Sequence, residues 1–283
     1  MAVEDLHRLA LERSEQAISN GALLPLSTEV ERCQGPDDTY FELRHLIGGV
    51  PRHLRAAGPK PNPFRPWDPR LAIAPIADAH MLILNKYPVQ LGHMLLITRS
   101  WQPQIGWLSI DDWSAVHRVN QDTTGLWFFN SGPRAGASQP HRHLQLLPRE
   151  GDAGLCPRQT WFERQLALGS STATLDVLQQ NVAVAALTPD MTADRLQATY
   201  QELCDRRGLG SPDQDPQPRH PYNLLFCNSW MAVISRACDG VHGFSINALG
   251  FAGYLLSTDG SDQDWLKRQG PESLLRGVVP LIP

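Results

Sequence analysis

Residues 130–148 read NSGPRAGASQPHRHLQLLP. From position 141 the pattern alternates, so that His141, His143 and Gln145 fall on one face of an extended strand while Arg142, Leu144 and Leu146 fall on the other. Two imidazoles and a carboxamide thus share a surface. The loop before them carries Gly132, Gly136, Ala137 and Ser138, residues with little steric cover whose backbone N–H groups can approach a ligand closely. An anion suits such a loop.

Upstream, GLWFFN (residues 125–130) reads as a strand, and Ser109 is placed to cap a helix with Asp111 and Asp112 in its first turn and Trp113, Val116 and Val119 on its apolar side. MLILNKYPVQLGHMLLIT (residues 81–98) predicts strand, turn and strand, with residues 88–92 as the reversal and 93–98 as a buried return. The stretch GPKPNPFRPWDPRL (residues 58–71) is too proline-rich for regular structure and predicts a rigid, extended loop. TYFELRHL (residues 39–46) suits a strand. Leu6, Leu9, Ala10, Ala17 and Ile18 lie near helical spacing ahead of an Asn20-Gly21 stop. Hairpin, helix, strand, loop and strand in that order predict an α+β domain on a mainly antiparallel sheet.

Downstream, TADRLQATYQELCDRRG (residues 192–208) places Leu196, Tyr200, Leu203 and Cys204 on one helical face. YNLLFCNSWMAVISR (residues 222–236) predicts a second hairpin turning near Asn228 and Ser229, and the small-residue segment SINALGFAG (residues 245–253) follows. The second half echoes the element types of the first without a residue-level repeat and without a His-x-His. One extended domain and two fused half-domains are both open; the half-domain division expected is residues 1–160, an N-terminal extension plus the histidine strand, and residues 161–283, which complete the site.

With 283 residues, 42% hydrophobic, 19% charged and a formal net charge of −4, the composition is that of an ordinary soluble globular chain. No basic excess points to nucleic acid, so a polyanionic ligand must be held by local groups. Five scattered cysteines without a C-x-x-C pair argue against a disulfide framework or a cysteine-rich zinc site. No run approaches the roughly 18 apolar residues of a membrane span, and the N-terminal segment lacks the basic and apolar regions of a secretory signal. No membrane partner and a cytoplasmic location are expected. Oligomeric state stays open.

A neutral imidazole is a good nucleophile toward phosphorus, and a covalent intermediate divides one difficult transfer into two. The carbonyl of the adjacent histidine position can accept an Nδ1 proton and leave Nε2 free to attack. Gln145 can donate to a phosphoryl oxygen, and the loop can supply donors for the charge that builds there. The same spacing also suits a zinc ligand pair or a surface accident; His93, His80 and the cysteines sit at no recognised metal spacing, and no metal site is assigned.

The pattern N-S-G-x-x-x-G-A-S-x-P-H-x-H-x-Q, followed by leucines and Pro148, resembles the diadenosine tetraphosphate phosphorylase (ATP adenylyltransferase) branch of the histidine-triad superfamily, which is related to galactose-1-phosphate uridylyltransferase. NPFRPWDPRL, LNKYPVQLGHMLLIT, YNLLFCNSWMAVISR and SINALGFAG look like that family's blocks in the same order, covering most of residues 39–257. The resemblance implies a histidine-triad-like antiparallel sheet with flanking helices. It implies His143 as the nucleophile that takes up AMP, with His141 as its catalytic neighbour and Gln145 on the phosphoryl oxygens. It further implies substrate contacts from Asn85 and Lys86, from Asn130 and the loop Gly136, Ala137, Ser138 and Gln139, and from Asn247, Ala248 and Leu249. Each has a plainer reading: Asn85 as a strand cap, Lys86 as a solvated charge, Asn247 as a turn residue. His93, beside Gly92, reads as structural.

The chain also departs from the family's pattern. Pro133 and Arg134 stand where a lysine would serve as phosphate ligand, and Tyr254 and Thr258 replace a methionine and a lysine after Gly253. Lys60 is a further candidate ligand. The implied reaction is cleavage of diadenosine tetraphosphate by inorganic phosphate to ATP and ADP, with Mg²⁺ or another divalent cation carried on the polyphosphate and no organic cofactor. The rivals are another nucleotidyltransferase or a hydrolase that uses water, and a nucleotide-binding sensor without turnover.

Overall fold

The computed structural model describes residues 5–36, 38–47, 62–148, 154–168 and 175–281; Lys60 lies outside them. The N-terminal periodicity forms helix α1 (Asp5–Ser19), which stops where Gly21 takes a left-handed φ of +71°. Its first N–H groups are capped from far along the chain, Leu6 N–H by the Asp122 carboxylate and His7 N–H by the Thr123 hydroxyl. Strands β1 (Thr28–Gln34) and β2 (Tyr40–Leu46) pair antiparallel. After β3 (Ala72–Ile76), strands β4 (His80–Leu84) and β5 (Met94–Thr98) form the expected hairpin. Helix α2 (Ile110–Asn120) starts at a reciprocal cap: Asp112 N–H donates to the Ser109 hydroxyl, and Ser109 N–H donates to the Asp112 carboxylate. Strands β6 (Gly125–Asn130) and β7 (His143–Pro148) complete the first half.

The second half runs through helices α3 (Gln159–Leu168) and α4 (Val177–Gln180), strand β8 (Val182–Ala186), helix α5 (Ala193–Arg206) and the hairpin of β9 (Tyr222–Phe226) and β10 (Trp230–Ser235). Two-residue strands β11 (Gly240–Val241) and β12 (Phe244–Ser245) lead to helix α6 (Ala248–Ala252), strand β13 (Tyr254–Ser257) and helices α7 (Gln263–Gln269) and α8 (Glu272–Gly277).

Eight strands form one sheet in the order β3-β4-β5-β7-β6-β9-β10-β8, with every adjacent pair antiparallel. The two halves are therefore not separate layers. They join along β6 and β9, where Trp127 lies opposite Phe226 with the rings stacked at 5.8 Å. A smaller sheet, β1-β2-β13, crosses the halves again, and its β2–β13 pair is parallel.

Alternation along the strands splits the core between the two faces. Leu82, Leu96, Trp127, Leu144 and Leu146 pack with Ala10 and Ala17 of α1, Trp113 of α2 and Tyr200 of α5. The opposite face carries Phe128, Leu147 and Leu225 under Trp161 and Phe162 of α3 and Phe251 of α6, and a small cluster of Phe64, Ile83, Leu95 and Ile97. Burying such aromatic side chains is worth about 1.5–3 kcal/mol each. His143 and Gln145, out of phase with Leu144 and Leu146, belong to this second face, between its large and small clusters.

Strands β1, β3 and β8 carry no sequence signal of their own. TEVERCQ is almost wholly exposed and is a strand because β2 pairs with it; AIAPI contains a proline; VAVAA is a short edge strand. The histidine strand is also shorter than alternation predicts. It begins at His143, and His141 sits in an isolated bridge with Pro103.

Candidate active site

His143 is 3% exposed, and its Nδ1 lies 2.8 Å from the His141 carbonyl oxygen. A carbonyl only accepts, so Nδ1 carries the proton and the lone pair of the neutral ring is on Nε2. Nε2 has no hydrogen-bond partner among the described residues. Burial lowers the His143 pKa to about 4, against the opposing effect of the bond to His141. The ring is thus neutral at ordinary pH, with its free nitrogen fixed by main-chain geometry.

His141 is held in the opposite tautomer. Its Nε2 is 2.8 Å from the Thr98 carbonyl and must donate there, so Nδ1 accepts from the Asn62 amide at 2.9 Å. Asn62 is oriented in turn, because its Oδ1 accepts the Phe64 N–H. Both nitrogens of His141 are therefore engaged. Phe64 packs against both rings, with centroids 5.6 Å from His141 and 5.3 Å from His143.

A second asparagine repeats the device on the far side of Gln145. Asn85 Oδ1 accepts the Tyr87 N–H, which turns its Nδ2 toward His93 Nδ1 at 3.1 Å. His93 must then be protonated on Nε2, which donates to Gln145 Oε1 at 3.1 Å. That leaves the Gln145 NH₂ facing outward as a donor. Burial, with a further push from nearby His143, lowers the His93 pKa to about 4, so this ring too is neutral. Asn85 both caps its strand and orders the chain of groups behind Gln145.

The loop after β6 is held from the second half of the chain. Asn130 Oδ1 accepts from Asn223 Nδ2 at 2.8 Å and from Ala248 N–H at 2.9 Å. Gly136 has φ +87°, and a Cβ there would lie 2.7 Å from the Asn247 Cβ, so the loop rests directly on the segment that opens α6. Asn247 caps that helix by accepting the Leu249 N–H. Below, the fully buried Arg236 donates to the carbonyls of Ala135, Cys238 and Ile246 and to the Asn223 side chain. Burial lowers its pKa to about 10.

Not every expected donor is available. Gly136 N–H is spent on the Pro133 carbonyl and Ala137 N–H on the Gly132 carbonyl, because the loop closes on itself as a 3₁₀ turn; the Ser138 and Gln139 N–H groups have no partner among the described residues. Arg134 donates to the Ala237 carbonyl. Lys86 is exposed, with its ammonium 5.7 Å from the Tyr87 ring centroid.

Residues 1–155 match the family model of the Ap4A phosphorylase N-terminal domain, and residues 176–279 that of the ATP adenylyltransferase C-terminal domain. The chain belongs to the Ap4A phosphorylase family. It is 25% identical over 284 residues to Protein APA1 of Saccharomyces cerevisiae, covering 89% of this chain and 87% of that protein. It is likewise 25% identical to Diadenosine 5',5'''-P1,P4-tetraphosphate phosphorylase 2 of the same yeast, over 92% and 89%. The crystal structure of yeast Ap4A phosphorylase Apa2 superposes with a TM-score of 0.72 at 22% identity, over 98% of this chain and 96% of that one; the same enzyme with bound Ap4A gives 0.72 at 21%. The α+β fold is shared.

Within the Ap4A phosphorylase frame, the structure places His141 and His143 in one hydrogen-bonded set and Gln145 and Asn85, through His93, in a second; Asn130 is bonded to Ala248, and Gly136 packs on Asn247. Sequence reading missed Asn62, Gln104, Asn223 and Arg236 and took His93 as merely structural. For Asn62 a signal existed: Asn-x-aromatic recurs in NPF and NKY, each Asn ahead of a main-chain N–H that it can bond. For the others none was visible, since their partners lie far away in the chain.

Proposed function

We propose that this protein cleaves diadenosine tetraphosphate with inorganic phosphate, giving ATP and ADP through an adenylyl-His143 intermediate. The carrying observation is the His143 ring, protonated on Nδ1 by its bond to the His141 carbonyl and open at Nε2. In the first step Nε2 attacks an α-phosphorus; the N–P bond forms, the bond to the bridging oxygen breaks, and ATP leaves. In the second, a phosphate oxygen attacks the same phosphorus, the N–P bond breaks, and ADP leaves. Gln145, its carbonyl oxygen held by His93, presents NH₂ to the oxygen on which charge builds in both steps.

The Ser138 and Gln139 N–H groups, with Lys86, supply the phosphate-binding donors of this reading; Asn130, Gly136, Ala137, Asn247, Ala248 and Leu249 shape the loop that carries them. Among the described residues no three of His, Cys, Asp or Glu are grouped to hold a metal ion. In this reading a divalent cation is part of the substrate, on the polyphosphate oxygens. We assign the enzyme to the cytoplasm, supported by its five unpaired cysteines.

The test is the fate of labelled phosphate. It should appear in ADP and not in ATP, with the two products equal and turnover dependent on phosphate. ATP and AMP formed at a rate indifferent to phosphate would instead make water the acceptor, and no products at all would favour a binding protein.

A further inference from the structure

The β6–β7 ladder pairs Phe128 with Gln145, and the same register continued would place Asn130 opposite His143. The strands part before that point, because the chain must leave β6 to form the loop that begins at Ser131. The side chain of Gln104 occupies the opening. Its Oε1 accepts the His143 N–H at 2.8 Å, and its Nε2 donates to the Asn130 carbonyl at 2.9 Å and the His143 carbonyl at 3.2 Å. A carboxamide has the same donor and acceptor chemistry as a peptide group, so this one stands in for the missing rung of the sheet. Gln104 is 1% exposed, and its own N–H is tied to the Pro140 carbonyl, one residue before His141.

We infer that Gln104 is a positioning residue for His143, a role resting on the proposed adenylyl transfer: it holds the main chain of the nucleophile where the sheet no longer can. The site needs two things that conflict. The loop must diverge from β7 to leave room for a polyphosphate, yet the His143 backbone must be clamped on that same edge for Nε2 to keep its line of attack. Gln104 resolves the conflict by bridging both strands at the point of divergence. It touches no reacting atom, and its effect reaches the chemistry through the angle of one imidazole. A misplacement of about 1 Å at such a group costs on the order of 10²-fold in rate.

The test compares Gln104→Met, which keeps length and volume without the hydrogen bonds, and Gln104→Glu, which keeps the acceptor but sets oxygen against the two carbonyls. Each variant is first checked for cooperative unfolding. Both should lower kcat by roughly 10- to 100-fold with KM within about twofold of wild type, and should slow by the same factor the formation of the AMP adduct in a single turnover without phosphate. A folded variant that forms the adduct at the wild-type rate, or one whose loss lies wholly in KM, overturns the role. Failure of both variants to fold overturns it as well, since Gln104 would then be a determinant of the fold. If wild-type protein forms no adduct, it is the parent reading that fails and not the placement of Gln104.

Discussion

On one face of β7, Asp112 of α2 accepts hydrogen bonds from His80 at 2.8 Å, from Arg142 at 3.0 Å and from the Ser109 N–H at 2.8 Å. On the other, His141, His143, His93 and Gln145 are held by carbonyls, amides and one another, with no carboxylate partner among the described residues. Both clusters are buried, and both contain histidine. The first centres on a paired carboxylate, with His80 Nδ1 and Arg142 Nε left buried and unpartnered behind it: although burial alone would raise the Asp112 pKa, the bond from His80 and the charge of Arg142 hold it below the usual carboxylate range. Gly106 makes room for this packing, since a Cβ there would collide with the Arg142 guanidinium. The second cluster is left open at one nitrogen, His143 Nε2. A set of charges gathered on one carboxylate anchors a helix to a sheet; a neutral set with a free lone pair beside the small-residue loop is fitted to attack.

His143→Ala breaks the comparison most sharply. Turnover should fall below detection while nucleotide binding persists, and the acid-labile, base-stable AMP adduct expected of wild-type protein should not form; an adduct mapped to His141 would reverse the roles of the pair. The neutrality of this face makes a pH prediction of the same weight. With the His143 pKa near 4, the nucleophile is unprotonated through the ordinary imidazole range, so kcat/KM should show no acid limb near pH 6.5. Stability behaves differently. The unfolded chain binds protons at His93 and His143 that the folded chain refuses, so unfolding free energy should fall as pH drops from about 6.5 toward 4, by about 1.4 kcal/mol per pH unit for each ring. Equilibrium denaturation at several pH values would measure it.

Gln145→Ala should come next, lowering kcat by on the order of 10²-fold with a smaller change in KM. An unchanged kcat in steady-state assays would reduce Gln145 to shaping the strand. Lys86→Ala should raise KM by roughly fivefold or less, as an exposed ammonium contributes about 1 kcal/mol at most. Asp112→Ala should have the smallest effect on turnover per folded molecule and a large one on folding: leaving Arg142 and His80 buried without their carboxylate should cost about 3–5 kcal/mol by denaturant titration. If Asp112→Ala abolished turnover in well-folded protein, the division between the two faces of β7 would collapse.

The amino-acid sequence by itself determined the elements whose signal is local. Alternation placed His143 and Gln145 on one face of β7, apolar runs set out the β4–β5 and β9–β10 hairpins, and Ser109 with its acidic first turn opened α2. It also determined the family, because the His-x-His-x-Gln motif and its small-residue loop are contiguous. Tertiary structure alone decided how the pieces serve the site. That β6 meets β9 and makes one sheet of two halves, that β1 is a strand at all, and that the strand opens at His143 with Gln104 in the gap all depend on pairing partners that the local pattern does not name. The same holds for His93, a plain hairpin residue until Asn85 and Gln145 bracket it, and for Arg236, whose charge is satisfied by carbonyls from three separate segments. Periodicity reports which way a side chain points; it carries no record of what stands opposite, because a hydrogen bond between distant residues leaves no spacing in the chain.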